Sequence, residues 1–498
     1  MNRPSALNSL KEMRDFGGAA ITRGLSDEVF VDFLRDSTDL AVAIERGYDA
    51  FLALTKSHAD FLSLDESEQI RQSQGGLTNF YATESVSPYV AVAAAGPWIV
   101  TLKGAVVYDC GGYGMLGFGH APAAVLDAMN KTHVMANVMT PSINQFDFTE
   151  RLRQEIGHTR PEGFPFSTFI CVNSGSEAMT VASRIADAKT RILTDPDGRY
   201  EGREIFGLTL RGSFHGRTDR PARFSDSTRE HYEEHLATFR ESEYLLTVEP
   251  NDIEALEAIF SGAEADDAFI EAFFMEPVMG EGNPGLAIEP EFYKRARELT
   301  REHGTVLVVD SIQAGLRAHG VLSIVDYPGF SHLDPPDMES YSKALNAGQY
   351  PLSVLALSEA CANAYRHGLY GNTMTSNPRA MDIGMAVLDL LSDELRENIH
   401  HCGRYMLTKL AALVDETDGA VVSAQGTGLL LSCELDERYK IHGTNSTEDY
   451  LRRIGLAVIH GGEHSLRFTP VFNIREKEVD LIVDLVRQAL AEGPVRRP

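Results

Sequence analysis

From residue 27 to about 75, apolar residues recur three and four positions apart. VFVDFLRDSTDLAVAIERGYDAFLALTKSHADFL carries one such stripe, and the stretch ends at Gly75–Gly76. This spacing predicts helices with one buried face. The region is acidic and reads as an N-terminal helical extension, a packing element before a functional one. From residue 98 the pattern changes: AVVYDC reads as a strand and APAAVLDAMNKT as a helix opened near Pro122. Short apolar runs then alternate with helical stretches. The runs are FICV (169–172), IFGLTL (205–210), AFFMEPV (272–278), TVLVVD (305–310), ESYS (339–342) and LSVLAL (352–357), with helices such as SEAMTVASRIADAKTRIL and PEFYKRARELTREHG between them. Continuous apolar strands alternating with helices predict an α/β domain with a mainly parallel sheet covered on both faces. Ligands of such sheets sit beyond the carboxyl ends of the strands. After about residue 380, long helices precede GLLLSCEL, HSLRFTPVF and a last helix, EKEVDLIVDLVRQALAE, which together read as a smaller α+β domain. The expected divisions are 1–75 for the extension, 76–145 for the first part of the small domain, 146–380 for the large domain and 381–498 for the rest of the small domain. No internal repeat or low-complexity linker interrupts them.

Composition narrows the function classes. The chain has 498 residues, 43% hydrophobic and 23% charged, with 45 Lys and Arg against 72 Asp and Glu, a net charge of −27. That balance argues against a nucleic-acid partner, which needs clustered cations. Cys110, Cys171, Cys361, Cys402 and Cys433 are scattered, with no C-x-x-C. This odd set suggests reduced thiols and a cytoplasmic setting. MNRPSALNSLKEMRDFGG lacks the apolar stretch of a secretory leader. No apolar run reaches the roughly 18 residues of a membrane span, so no membrane partner is expected.

Candidate chemistry lies just after the strands. NSGSEAM (173–179) opens a helix with small residues, either as an ordinary N-cap and tight turn or as a phosphate site built from free N–H groups and the helix dipole. RGSFHGRT (211–218) puts an aromatic residue at a strand end, for packing or for stacking. Asp310 closes an apolar strand, where an acid is costly without a partner. It either caps the next segment or holds a ring N–H⁺. MESYSKALNAGQYPLS (338–353) holds a single lysine, Lys343, a surface charge or a covalent catalyst. Together these parts fit pyridoxal phosphate. That cofactor needs a lysine for its Schiff base, an acid for its pyridine nitrogen, an anion site and a stacking face.

In this order, NSGSEA, FHGRT, EPVMGEGN, VDSIQAG, YSKAL, TMTSNP and LRFTPVF resemble the blocks of the class III (ω-type) aminotransferases of pyridoxal-phosphate fold type I. The resemblance covers roughly residues 80–490. It implies that Gly175 and Ser176 bind the phosphate and that Phe214 stacks on the ring, with His215 in the ring environment. It implies further that Asp310 pairs with the ring nitrogen, Ile312 packs on the opposite face and Gln313 approaches the ring hydroxyl. Lys343 would form the Schiff base and move the proton, and Thr373 would reach the phosphate of the neighbouring subunit in a homodimer or higher homo-oligomer. Glu281 and Arg467 resemble a switchable pair that admits an amine donor and a keto acid acceptor in turn. Tyr113 sits where some members place an aromatic against the substrate.

The sequence also departs from that pattern. Where the family usually has Asp-Glu-Val-Gln-Thr-Gly, Ser311 replaces the Glu and Ala314 the Thr. LRAHG follows, and its Arg317, a further substrate-binding candidate, resembles the aminomutase branch. NAGQYP after the lysine is unlike the usual triple-glycine loop. The expected activity is transfer of an amino group from an amine or ω-amino acid to a 2-keto acid. The alternatives are aminomutase or racemase/epimerase chemistry on the same cofactor, and a cofactor-binding protein that acts through its acidic extension. Three other motifs carry less. GYGMLG (112–117) lacks a second strand ending in an acid for a dinucleotide site. SYSK lacks the companion motifs of serine acyl transferases. His400 to Cys402 lack a second ligand pair for a metal.

Overall fold

The computed structural model describes residues 5–111, 113–135, 138–240 and 244–495; Gly112, the first residue of GYGMLG, and residues 1–4 of the extension lie outside them. The chain divides into two compact units. One takes Met1–Ala123, His401–Gln425 and Leu431–Pro498, the other Ala124–His400 and Gly426–Leu430.

The first unit holds the helical extension and the chain's C-terminal part. The periodic stretch from residue 27 forms Asp27–Phe33, Thr38–Ser57, Ala59–Leu62 and Glu66–Gln74. The long helix Thr38–Ser57 is capped by Ser37, whose hydroxyl accepts from Leu40 N, and it buries Leu40, Ala43, Ile44, Gly47 and Phe51. It packs on the strands Ala91–Ala95 and Trp98–Thr101. Gly47 permits that approach, since a Cβ there would come within 2.9 Å of Val100 Cγ1. A second antiparallel set joins Leu430–Leu435, Ser465–Phe468 and Ile459–Gly461, and the helix Glu476–Glu492 follows.

The second unit is built on a sheet which, among the described residues, has seven strands. Their order is Thr168–Val172, Ser353–Leu357, Met338–Tyr341, Val306–Asp310, Ala268–Met275, Glu204–Leu210, Leu245–Val248. Neighbours run parallel from Met338–Tyr341 to Leu245–Val248. Ser353–Leu357 runs antiparallel to both of its neighbours. The reason is local: only residues 342–352 separate it from the preceding strand, too few for the helical crossover that a parallel return needs. The helix Gly175–Thr194 lays Ala178, Met179, Ala182, Ile185 and Ala186 on this sheet, in one core with Val172, Phe274, Val308, Met338 and Leu355. The expected α/β architecture, with a mainly parallel large sheet, a smaller domain from both chain ends and a helical extension, is the one observed.

Candidate active site

Five strands of the large sheet deliver residues to one cavity of about 160 Å³. Thr168–Val172 leads to Ser174, Gly175 and Ser176, and Glu204–Leu210 to Phe214 and His215. Ala268–Met275 leads to Glu276. Val306–Asp310 ends on Asp310 and runs into Ile312 and Gln313, while Met338–Tyr341 leads to Ser342 and Lys343. Residues far apart in the chain meet because the parallel strands end on the same side of the sheet.

The anion-binding end is a helix start. Ser174 Oγ accepts from Glu177 N, and the Glu177 carboxylate accepts from Asn173 N at 2.7 Å and Ser174 N at 3.2 Å, a capping box. The first N–H groups of such a helix have no partner within it and, with the dipole, favour an anion. Gly175 lacks the Cβ that would meet Ile312 Cδ1 at 2.6 Å. Gly216, with φ of +114°, lacks the one that would sit 2.5 Å from Ser176 Oγ. The floor holds the acid. Asp310 is buried, with Oδ2 2.9 Å from His215 Nδ1, and Oδ1 accepts from Ile312 N at 3.1 Å and Ser340 Oγ at 3.2 Å. His215 is fixed in turn by Thr209 Oγ1, 3.2 Å from its Nε2. Lys343 has a φ of +46°. A side chain in this left-handed region costs roughly 1 kcal/mol, held by the surrounding fold.

These groups fit pyridoxal phosphate: an uncrowded helix N-terminus for its phosphate, Phe214 and Ile312 as apolar walls, an oriented carboxylate, and a lysine on the same cavity. Known proteins point the same way. Residues 80–490 match the family model described as aminotransferase class-III. The chain belongs to the class-III aminotransferase family. It is 28% identical over 410 residues to the acetylornithine aminotransferase of Neisseria meningitidis, covering 82% of this chain and 95% of that protein. Its fold is similar to the ornithine aminotransferase of Toxoplasma gondii, with a TM-score of 0.72 at 22% identity over 88% of this chain and 98% of that one. It is also similar to an amine transaminase from an uncultivated Pseudomonas species, with a TM-score of 0.67 at 21% identity over 84% and 98%. This class-III aminotransferase is thus an enzyme of pyridoxal-phosphate-dependent transamination on an amino-acid or amine substrate.

The other residues expected at the site lie as follows. Thr373 is exposed. Its segment is tied to the phosphate-end helix, because Tyr370 Oη and Asn372 Nδ2 both donate to Glu177 Oε1. Glu281 is half-buried in the turn after Ala268–Met275. In the first unit, Arg467 is fully buried and its guanidinium lies 5.5 Å from the centre of the Tyr113 ring. Arg317 is fully buried in the second unit, and its Nη1 donates to Leu429 O at 3.1 Å; it is not part of the cavity lining. Sequence reasoning missed Glu276. Its signal was the one used for Asp310, an acid closing an apolar strand. Burial and the charge of Asp310 push this carboxyl up to about 8, against two backbone N–H groups and Lys343.

Proposed function

We propose that this class-III aminotransferase moves an amino group from an amine or ω-amino acid donor to a 2-keto acid, with Lys343 as its covalent catalyst. The observation that carries the reading is the convergence of Lys343, the Asp310–His215 pair, Phe214 and the Gly175 helix start on one cavity. When bound, pyridoxal phosphate supplies the electron sink for charge at the substrate's amino-bearing carbon. Asp310 presents a carboxylate to the ring nitrogen, and His215, Ile312 N and Ser340 keep it aimed. A carboxylate facing that nitrogen would favour the protonated ring. Lys343 Nζ takes the proton from the substrate carbon and returns it one position away. Gly175 and Ser176 hold the phosphate. Arg467 takes the keto acid's carboxylate, and Glu281 serves as its counter-charge when the substrate brings none. Relatives named for ornithine and acetylornithine fit donors with an amine far from the carboxylate.

We assign the protein a homodimer as its smallest working form, with Thr373 contributed to the partner's phosphate site. Val134, Met139, Ile143, Phe146 and Met374 of the second unit support this, being large apolar side chains that are 56–80% exposed.

Sodium borohydride reduction of the cofactor-loaded protein, followed by peptide mass spectrometry, tests the assignment. The adduct is expected on Lys343, and Lys343→Ala should lose both the visible chromophore and turnover. An adduct on another lysine would overturn it.

A further inference from the structure

Glu276 is 2% exposed, and its two oxygens are spent on backbone. Oε1 accepts from Phe214 N at 2.9 Å, and Oε2 from Gly280 N at 2.9 Å. Gly280 belongs to its own turn, but Phe214 comes from the loop of the neighbouring strand. The same two loops touch again where Gly282 N donates to Gly212 O at 3.1 Å. They leave no room for side chains at the contact: a Cβ on Gly282 would sit 2.2 Å from Gly212 O, and one on Gly280 would sit 2.3 Å from Gln313 Cδ. One carboxyl group therefore orients the loop that carries the stacking ring and the turn that carries Glu281, with Gln313 wedged against that turn.

We propose that Glu276 is a positioning residue that hangs the Phe214 loop and the Glu281 turn on a single carboxyl group, so that ring stacking and donor choice are set together. This rests on the proposed function, in which Phe214 stacks on the cofactor and Glu281 gates the substrate carboxylate. An acid that only filled space would tolerate an isosteric amide. An amide offers one accepting oxygen in place of two, so Glu276→Gln keeps the shape but no longer holds the two loops to one group, and each loses its fixed position relative to the other.

The test uses the cofactor-loaded enzyme with Glu276→Gln, and with Glu276→Asp as a second variant should the first fail to fold. Two readouts are taken: the visible circular dichroism of the bound cofactor, which reports ring orientation without turnover, and the ratio of half-reaction rates with a terminal amine and with an α-amino acid. Both are expected to change in the same variant. The rate ratio should shift about tenfold, the factor that corresponds to losing one buried hydrogen bond. The proposal is overturned if both readouts match the wild type, or if only one of them moves. The wild-type visible band is the control on function itself: its absence overturns that reading and this one with it, whereas its presence beside unchanged variants overturns only this proposal.

Discussion

The departure at Ser311 has a structural counterpart on the neighbouring strand. Glu339, fully buried on the strand that leads to Lys343, accepts from Ser311 Oγ at 2.6 Å, Ile324 N at 2.8 Å and Tyr341 Oη at 2.9 Å, and from Ser323 Oγ. A carboxylate thus touches residue 311 from that strand where the family usually supplies one at 311 itself. Burial pushes Glu339 from 4.5 up to about 7, opposed by these donors. The sign follows from linkage. The folded state holds this proton more tightly than the unfolded one, so the group's contribution is fully present below about 4.5 and lost as pH rises through about 7. Glu339→Gln removes the titration while preserving shape. The stability advantage of wild type over the variant should shrink by a few kcal/mol between pH 5 and 8, at about 1.4 kcal/mol for each tenfold difference in proton affinity between the folded and unfolded chains. Melting curves at a series of pH values measure it, and parallel curves for the two proteins would refute the assignment.

At the scale of elements, the N-terminal extension is pinned by one buried cation. Lys103 is 3% exposed, and its ammonium donates to the carbonyls of Gly17, Leu62 and Leu64. Gly18, at φ of +69°, makes the approach possible, for a Cβ there would lie 2.0 Å from Leu64 O. Beside it, Glu66 Oε2 accepts from Ile21 N and Thr22 N, both at 2.8 Å. Lys103→Met keeps the apolar stem and takes the ammonium away from all three carbonyls, of which Leu62 O keeps Gln69 Nε2 at 3.1 Å. A local loss of about 3 kcal/mol is expected, on the scale of unsatisfied buried groups. Hydrogen exchange should then speed up around residues 17–22 and 62–66 while the large sheet stays protected. Unchanged protection there would mean that the extension is held by its apolar face alone.

For the whole molecule, the exposed apolar side chains Val134, Met139, Ile143, Phe146 and Met374 argue for a covered face. Met139→Glu combined with Phe146→Glu puts charge where a partner would bury hydrocarbon. The expected result is a shift from two chains to one in light scattering. Faster loss of cofactor on dialysis should accompany it, because Thr373 would no longer reach the partner's phosphate site. A variant that stays dimeric would move the interface elsewhere.

The elements, and the candidate residues at their ends, were already legible in the order of residues. Apolar runs of four to eight residues marked the strands, since a strand covered on both faces must be apolar along its length. Gly175, Phe214, Asp310 and Lys343 stood out because each follows such a run. The edge strand Leu245–Val248 did not, being short and half-buried. Folding in three dimensions was needed to settle the reversed direction of Ser353–Leu357, the seat of Lys103 under the extension, and the pairing of Glu276 with Phe214 N and of Glu339 with Ser311. Direction depends on the length of a connection against the width of the sheet, and a buried charge is explained by the partners that satisfy it. Those partners are 62 residues away for Glu276 and 28 for Glu339, a distance along the chain that local pattern does not encode and the register of parallel strands does.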